Sequence, residues 1–454
     1  MLHWPARAAE GLPRRPSPSS PARLLVGSYV ALMATGTLLL SLPAAVREPP
    51  RLSLVDALFT ATSALCVTGL TVVDTGSRLS LFGQLVVLSL IQVGGLGIMT
   101  ASTTAGVLLG RRITLRGRLM VAEELHQDYL SGLVRLTRMV AAVTLAIELA
   151  GALILWLAWS GLLGWGRAGY FALFHAVSAF NNAGFDLWGD SLVRFVARPE
   201  VVLTVAALLV LGGLGFSVLA ELLSWRPGHR FTLHSRMALL MAGTLVAVAW
   251  AVVLALEWDN PATLGKLPVP VRLLAGLFTA VTPRTAGFTV IPIGELRTAT
   301  LLWLMILMFI GVSPGSTGGG VKTTTAAVVA LTARAAIRGD EELVVFGRRL
   351  PRGIEQRAIT LVVLALVWIF VVVLALTAIE PMDALKLAFE AVSAFGTVGL
   401  STGITPQLSA PSRLLLVATM LVGKVGPMTL VTALAGRAAR AVSVRYPEER
   451  LGLG

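Results

Sequence analysis

Cysteine is nearly missing from this chain, with Cys66 standing alone among 454 residues. A single thiol excludes a disulfide framework or a cysteine-ligated zinc site, and the five scattered histidines form no HxxxH or HExxH pair for a metal. Charge is scarce too. Asp, Glu, Lys and Arg make up 13% of the residues against 56% hydrophobic, too little polar surface to cover a soluble protein of this length. Most of the chain must face lipid or pack inside a membrane. No Ser/His/Asp set and no carboxylate pair at membrane depth suggests a hydrolase, so no enzymatic chemistry is expected. The charge that exists is lopsided, 37 Lys+Arg against 24 Asp+Glu, for a net +13. In a soluble protein that excess would suggest nucleic acid; in a membrane protein it reads first as cytoplasmic loops obeying the positive-inside rule.

Residues 1–22 are Pro-, Ser- and Arg-rich and lack the apolar core of a secretory signal, so they read as a short cytoplasmic arm. After them come apolar stretches able to cross a hydrocarbon core of about 30 Å, which takes roughly 20 helical residues. Eight spans are predicted, at 23–46, 79–108, 134–164, 199–224, 235–257, 298–338 (interrupted), 358–379 and 410–436. Between paired spans lie shorter apolar segments that align with one another: LFTATSALCVTGL (58–70), LFHAVSAFNNAGF (173–185), LFTAVTPRTAGF (277–288) and AFEAVSAFGTVGL (388–400). Each runs from an apolar residue and Phe, through Ala and Ser/Thr, to a Gly followed by a bulky apolar residue. The third copy is one residue shorter between Phe and Gly. A period of about 110 residues marks one supersecondary unit used four times.

A second echo follows each copy, as VGGLG (93–97), LGGLG (211–215), IGVSPG (310–315) and VGKVG (422–426). The unit is therefore span, short re-entrant helix, Gly-bearing strand, span. Irregular backbone at membrane depth is tolerated where it lines a water-filled path or is buried in protein, and four such units around an axis make a pore. The expected fold is an all-α polytopic membrane protein. Its divisions are an arm (1–22), pore repeats at 23–110, 111–224, 225–340 and 341–442, and a cytoplasmic tail (443–454). About twice as many Lys and Arg fall on the side holding the termini as on the other, which puts both termini in the cytoplasm and opens the re-entrant segments outward.

A dehydrated alkali cation is selected by a ring of backbone carbonyls that replaces its water shell. Glycine supplies the positive φ that lets consecutive carbonyls face the same way. The candidate filter strands are Cys66, Val67, Thr68 and Gly69; Asn181, Asn182, Ala183 and Gly184; Arg284, Thr285, Ala286 and Gly287; and Gly396, Thr397, Val398 and Gly399. Re-entrant helices would aim their partially negative C-terminal ends at the pore centre, which favours cations.

With NNAGF (181–185), TPRTAGF (282–288), GTVGLSTG (396–403) and SPGSTGGGVKTTT (313–325) in register, the chain resembles the Trk/Ktr/HKT superfamily of potassium transporters. Within it the Ktr (NtpJ-type) branch fits better than the Trk branch, because residues 1–22 are too short for two further helices. The resemblance covers nearly everything beyond the first two dozen residues. It implies uptake of K⁺, since Gly at all four filter positions accompanies K⁺ permeation in the superfamily. It implies a homodimer with one pore per protomer, seated on a cytosolic nucleotide-binding ring in the bacterial inner membrane. The basic loop from Arg334 to Arg357 and the tail are the expected docking surfaces, with anionic-lipid attraction as the alternative. K⁺ is cargo, and no covalent cofactor is implied. Whether Na⁺ also passes or is symported stays open, as does an alternating-access carrier.

The sixth span is broken by Gly311, Ser313, Pro314, Gly315, Ser316, Thr317, Gly318, Gly319, Gly320 and Lys322, a run that no helix accommodates. The resemblance makes this loop an intramembrane gate. Ser313, Ser316 and Thr317 are expected to satisfy its backbone locally, and the break is expected in only one of the four repeats. Lys424 sits in the last span, where the family usually carries Arg; a cation at that depth is functional by default, and Lys424 is expected beside the gate as a barrier to K⁺. Arg284 is expected to brace the pore loop by pairing with Glu390 or Asp56. Cys66 is expected to pack, and Glu148 to be hydrogen-bonded within the third span. GSTGGGVKT fails as a phosphate-binding loop, because Val321 separates Gly320 from Lys322 and no strand precedes it.

Overall fold

The computed structural model describes residues 21–98 and 133–430, except 227, 229, 341 and 352. The expected arm apart from its last two residues, the tail at 443–454, and the last residues of the spans at 79–108 and 410–436 lie outside them. The first repeat contains α1 (Pro21–Leu40), α2 (Leu54–Leu65) and α3 (Leu81–Leu96). The second contains α4 (Leu133–Leu163), α5 (Trp165–Phe180), α6 (Pro199–Gly213) and α7 (Phe216–Leu223). In the third are α8 (Leu233–Glu257), α9 (Val269–Val281), α10 (Thr298–Phe309) and α11 (Thr323–Arg338). A hairpin of β1 (Val344–Val345) and β2 (Arg348–Arg349) leads to the fourth, α12 (Ile354–Ile379), α13 (Ala384–Gly396) and α14 (Ala410–Val425).

The first helix of every repeat is long and apolar enough to cross a membrane: Arg23–Leu40, Thr137–Leu163, Leu233–Glu257 and Ile354–Ile379. These helices are apolar beyond what their protein contacts require. On α12, for example, Leu366, Phe370 and Leu374 are exposed, as suits a helix whose outer face meets lipid. The short helices α2, α5, α9 and α13 carry the opposite burden. The repeat's phenylalanines, Phe59, Phe174, Phe278 and Phe389, are all at most 1% exposed, so the shared Phe of the sequence motif is the core residue that seats each short helix. Ser53 and Asp383 cap α2 and α13 by accepting from the backbone N–H three residues on.

The second span of each repeat departs from the expectation of one break in four. Gly97, Gly215 and Gly426 take nearly one backbone geometry, with φ of 86°, 93° and 91° and ψ near 138° in each, and helix resumes directly beyond each of them. At Gly215 the bend between α6 and α7 reaches 106°. In the third repeat the break widens into the stretch between α10 and α11. The cause lies just upstream. A methyl placed on Gly94, Gly212 or Gly423 would lie 1.9, 1.8 and 1.8 Å from the carbonyl oxygens of Leu65, Phe180 and Phe395. In these three repeats the second span thus presses on the last turn of its own short helix and then turns aside, whereas in the third Gly311 packs against Gly319 O of the interrupted stretch itself. Only glycine permits both the approach and the positive φ.

Candidate functional site

The four segments that leave the short helices form a closed ring. A methyl on Gly69 would lie 2.5 Å from Ala183 O, one on Gly184 2.8 Å from Gly287 Cα, one on Gly287 3.0 Å from Val398 O, and one on Gly399 2.1 Å from Thr68 O. The repeats therefore follow one another around an axis in chain order. Their backbone is not a regular strand. Val67 and Gly69, Asn182 and Gly184, Thr285 and Gly287, and Thr397 and Gly399 all have positive φ, in every segment two residues apart. This alternation of hand is the pattern that turns successive carbonyls to one side.

Hydroxyls that the sequence reading passed over brace the ring. Ser63 Oγ donates to Leu70 O at 2.7 Å, and Ser178 Oγ to Phe185 O at 2.7 Å. Thr282 Oγ1 donates to Phe288 O at 2.5 Å, and Ser393 Oγ accepts from Gly399 N at 3.1 Å. These are one position of the repeat, six residues before the glycine in copies one, two and four and five before it in copy three. The missing residue is absorbed here. Thr68, Ala183 and Val398 donate N–H to the carbonyl five residues back, whereas Ala286 donates four back, to Thr282 O at 3.0 Å. The aligned Ser/Thr was the signal that marks this brace.

Two further supports hold the segments beyond the glycines. His175 donates through Nδ1 to Phe171 O at 2.7 Å, and its Nε2 accepts from Leu187 N at 3.3 Å. At the matching position of the fourth repeat, Glu390 accepts from Thr402 N at 3.0 Å and from the hydroxyls of Ser401 and Thr405, each at 2.7 Å. Glu390 is therefore engaged, and Asp56 pairs with Arg413, so neither acid meets Arg284 as the sequence suggested. Arg284 is 6% exposed, and its Nε and one Nη find no acceptor among the described residues. What braces its segment is Asn182, whose Nδ2 donates to Arg284 O at 3.2 Å and to Thr285 Oγ1 at 3.3 Å.

The interrupted sixth span runs directly against the ring. Thr317 Oγ1 donates to Asn182 Oδ1 at 3.3 Å, Gly319 N donates to Thr397 Oγ1 at 2.8 Å, and a methyl on Gly318 would meet Thr285 Oγ1 at 2.1 Å. Its backbone is tied mainly to other spans. Ser313 N and Thr317 N reach Gly213 O and Gly212 O, Gly320 N reaches Gly423 O, and Phe216 N donates to Gly315 O. Of the three hydroxyls expected to bond locally, only Ser316 does so, donating to Ser313 O at 2.5 Å. Thr317 Oγ1 bonds Gly212 O, and Ser313 Oγ meets Thr323 Oγ1 at 3.3 Å. Both lysines grip the loop. Lys322 Nζ donates to Gly318 O at 2.7 Å, and Lys424 Nζ donates to Thr317 O. Beside the loop a cavity of about 320 Å³ is lined by Tyr29, Phe216, Thr325, Leu361 and the two lysines. Cys66 is buried and free, in a packing role.

Outside the membrane spans, Asp186 lies two residues beyond Gly184. Burial pushes its carboxyl up to about 6; the N–H groups of Gly189 and Trp188 oppose that shift, and Asp74 and Asp190 add to it.

Residues 24–441 match the family model TrkH, described as a cation transport protein. The chain is 40% identical over 437 residues to the Ktr system potassium uptake protein B of Bacillus subtilis, covering 96% of this chain and 97% of that protein. It is 38% identical over 440 residues to the potassium/sodium uptake protein NtpJ of Enterococcus hirae, with 96% and 97% covered. The fold is similar to the crystal structure of the potassium transporter TrkH from Vibrio parahaemolyticus. The TM-score there is 0.75 at 19% identity, over 94% of this chain and 86% of that one.

Proposed function

This chain belongs to the TrkH family of cation transport proteins, and we propose that its ring of four Gly-bearing segments is the filter through which it takes up potassium. It is a multi-pass membrane transporter that stands with the Ktr and NtpJ-type subunits, and not an enzyme. The observation that carries the filter reading is the repeated positive φ at alternate residues of all four segments, closed into a ring at their glycines. Four short helices end at that ring, and each C-terminus contributes roughly half a negative elementary charge. That supports cation binding at ring segments that themselves carry no carboxylate.

In this reading residues 66–69, 181–184, 284–287 and 396–399 coordinate K⁺ by their carbonyls. Residues 311–322 form the gate, held shut by Lys322 and Lys424, whose charges add a barrier to a cation. The four repeats are the units 23–110, 111–224, 225–340 and 341–442. Both termini lie in the cytoplasm, and the membrane is the bacterial inner membrane. The protein acts as a homodimer on a cytosolic nucleotide-binding ring, docked through the hairpin between α11 and α12. There Arg348 is exposed and Arg349 pairs with Glu342 at 2.8 Å.

A second reading, in which Na⁺ passes or is coupled, is favoured by the relative named for both ions. Flux of K⁺, Rb⁺ and Na⁺ through the purified protein in lipid vesicles separates the two. K⁺ and Rb⁺ flux that excludes Na⁺ is the expected result; strict Na⁺:K⁺ stoichiometry with saturable, slow turnover would overturn the channel-like reading.

A further inference from the structure

Glu148 lies midway along an apolar span of 27 residues, Thr137–Leu163, and is 2% exposed. A carboxyl at that depth is costly and needs a reason. Its partners are all amides. Oε1 accepts from Asn181 Nδ2 at 2.8 Å, and Oε2 accepts from Gln92 Nε2 at 3.4 Å. Asn181 Nδ2 also lies 3.1 Å from Gln92 Oε1 and 2.9 Å from Val177 O. On its other side the amide fills the space left by Gly95, where a methyl would lie 1.9 Å from Asn181 Oδ1. Helices α3, α4 and α5 therefore meet at one side chain, and that side chain opens the second ring segment.

The next residue extends the chain of contacts. Asn182 donates to Arg284 O and Thr285 Oγ1 of the third segment and accepts from Thr317 of the interrupted span. The two adjacent asparagines thus divide the work, Asn181 facing back to Glu148 and Asn182 facing the neighbouring segment and the loop. At the matching first positions stand Cys66, Arg284 and Gly396. Gly396 has no side chain, and the Arg284 nitrogens named above lack acceptors among the described residues. The ring is anchored from behind asymmetrically, through its second segment.

We infer that Glu148 is a positioning residue for ion selection, which holds the second filter segment through Asn181 and, by way of Asn182, steadies the third. The inference rests on the filter reading of residues 181–184. Discrimination between K⁺ and Na⁺ depends on carbonyls that keep their number and spacing around the ion. Truncating Glu148 removes the acceptor of the Gln92 amide and leaves Asn181 held only by Gln92 Oε1 and Val177 O, so the hold of α4 on the second segment is lost.

The test is the Rb⁺/Na⁺ flux ratio of the full-length protein in vesicles. Glu148→Ala is expected to lower the ratio about tenfold, the scale of one lost buried charge-assisted bond. Glu148→Gln keeps an oxygen for Asn181 but turns its own amide toward Gln92 Nε2, so its ratio should fall between those of Glu148→Ala and the wild type. Adding Asn181→Ala to Glu148→Ala should change the ratio no further, because the two act as one unit. If Glu148→Ala does not fold, Gln92→Ala replaces it, with a smaller shift in the same direction expected. A selective wild-type protein whose ratio is untouched by Glu148→Ala, or by Gln92→Ala in its place, overturns this inference alone. A wild-type protein that passes both ions equally overturns the filter reading and the inference together.

Discussion

Four residues with side chains, Val67, Asn182, Thr285 and Thr397, hold φ between 50° and 59°, a conformation that costs about 1–2 kcal/mol each. The braces and the close ring hold them there, and strain of this kind concentrates at functional sites. The glycines two residues on cannot share that cost. Gly399 has φ of 87°, and a methyl on it would lie 2.1 Å from Thr68 O. Gly399→Ala is expected to cut K⁺ flux at least tenfold, measured as Rb⁺ uptake into vesicles. Asp186 supplies a pH test. Its folded carboxyl titrates at about 6, above the unfolded value of about 3.9. Its contribution to stability is complete below about pH 4 and is lost as pH rises through about 6. Asp186→Asn is therefore expected to melt at a higher temperature than the wild type at pH 7, with the difference shrinking toward pH 4. A difference independent of pH would exclude Asp186 as the titrating group.

Among the elements, the second spans carry the logic. In the first, second and fourth repeats each meets the end of its short helix through a glycine and breaks a few residues later. The packing of Gly212 on Phe180 O, at 1.8 Å from a notional methyl, leaves no room even for alanine. Gly212→Ala should lower the melting temperature in detergent by several degrees, since a forced overlap typically costs about 1–3 kcal/mol. In the third repeat the break is long enough to lie against the ring, and two ammonium groups hold its carbonyls at Thr317 and Gly318. Lys424→Ala removes one clamp and one positive charge. Unidirectional K⁺ flux without any cytosolic partner is expected to rise severalfold, and flux equal to the wild type would show that Lys424 is no part of the barrier.

At the scale of the whole molecule, a cyclic ring of repeats leaves the connections between them on the membrane faces, where partners can reach them. The hairpin at Val344–Arg349 carries exposed Phe346 at its tip beside exposed Arg348. Arg348→Ala is expected to lose co-purification with the proposed nucleotide-binding ring while membrane insertion stays intact; retained binding would move the docking surface elsewhere. Much of this architecture was legible in the chain. The fourfold motif, its phenylalanines and glycines and the run at 311–322 follow from residue types whose backbone or burial needs leave few choices. The breaks at Gly97, Gly215 and Gly426 were not legible as breaks, because a glycine in an apolar run reads equally as a packing site until its neighbour is known. Arg284 was assigned the wrong partners for a related reason: the acids nearest in the motif had hydroxyls and Arg413 closer in space. By itself the sequence determined that four like units cross a membrane around Gly-bearing segments, since periodicity and apolarity are local properties. Only the tertiary structure decided the cyclic order of those segments, the grip of the lysines on the loop and the link from Glu148 through Asn181. Each of these depends on groups from different elements meeting in space, which no local property of the chain specifies.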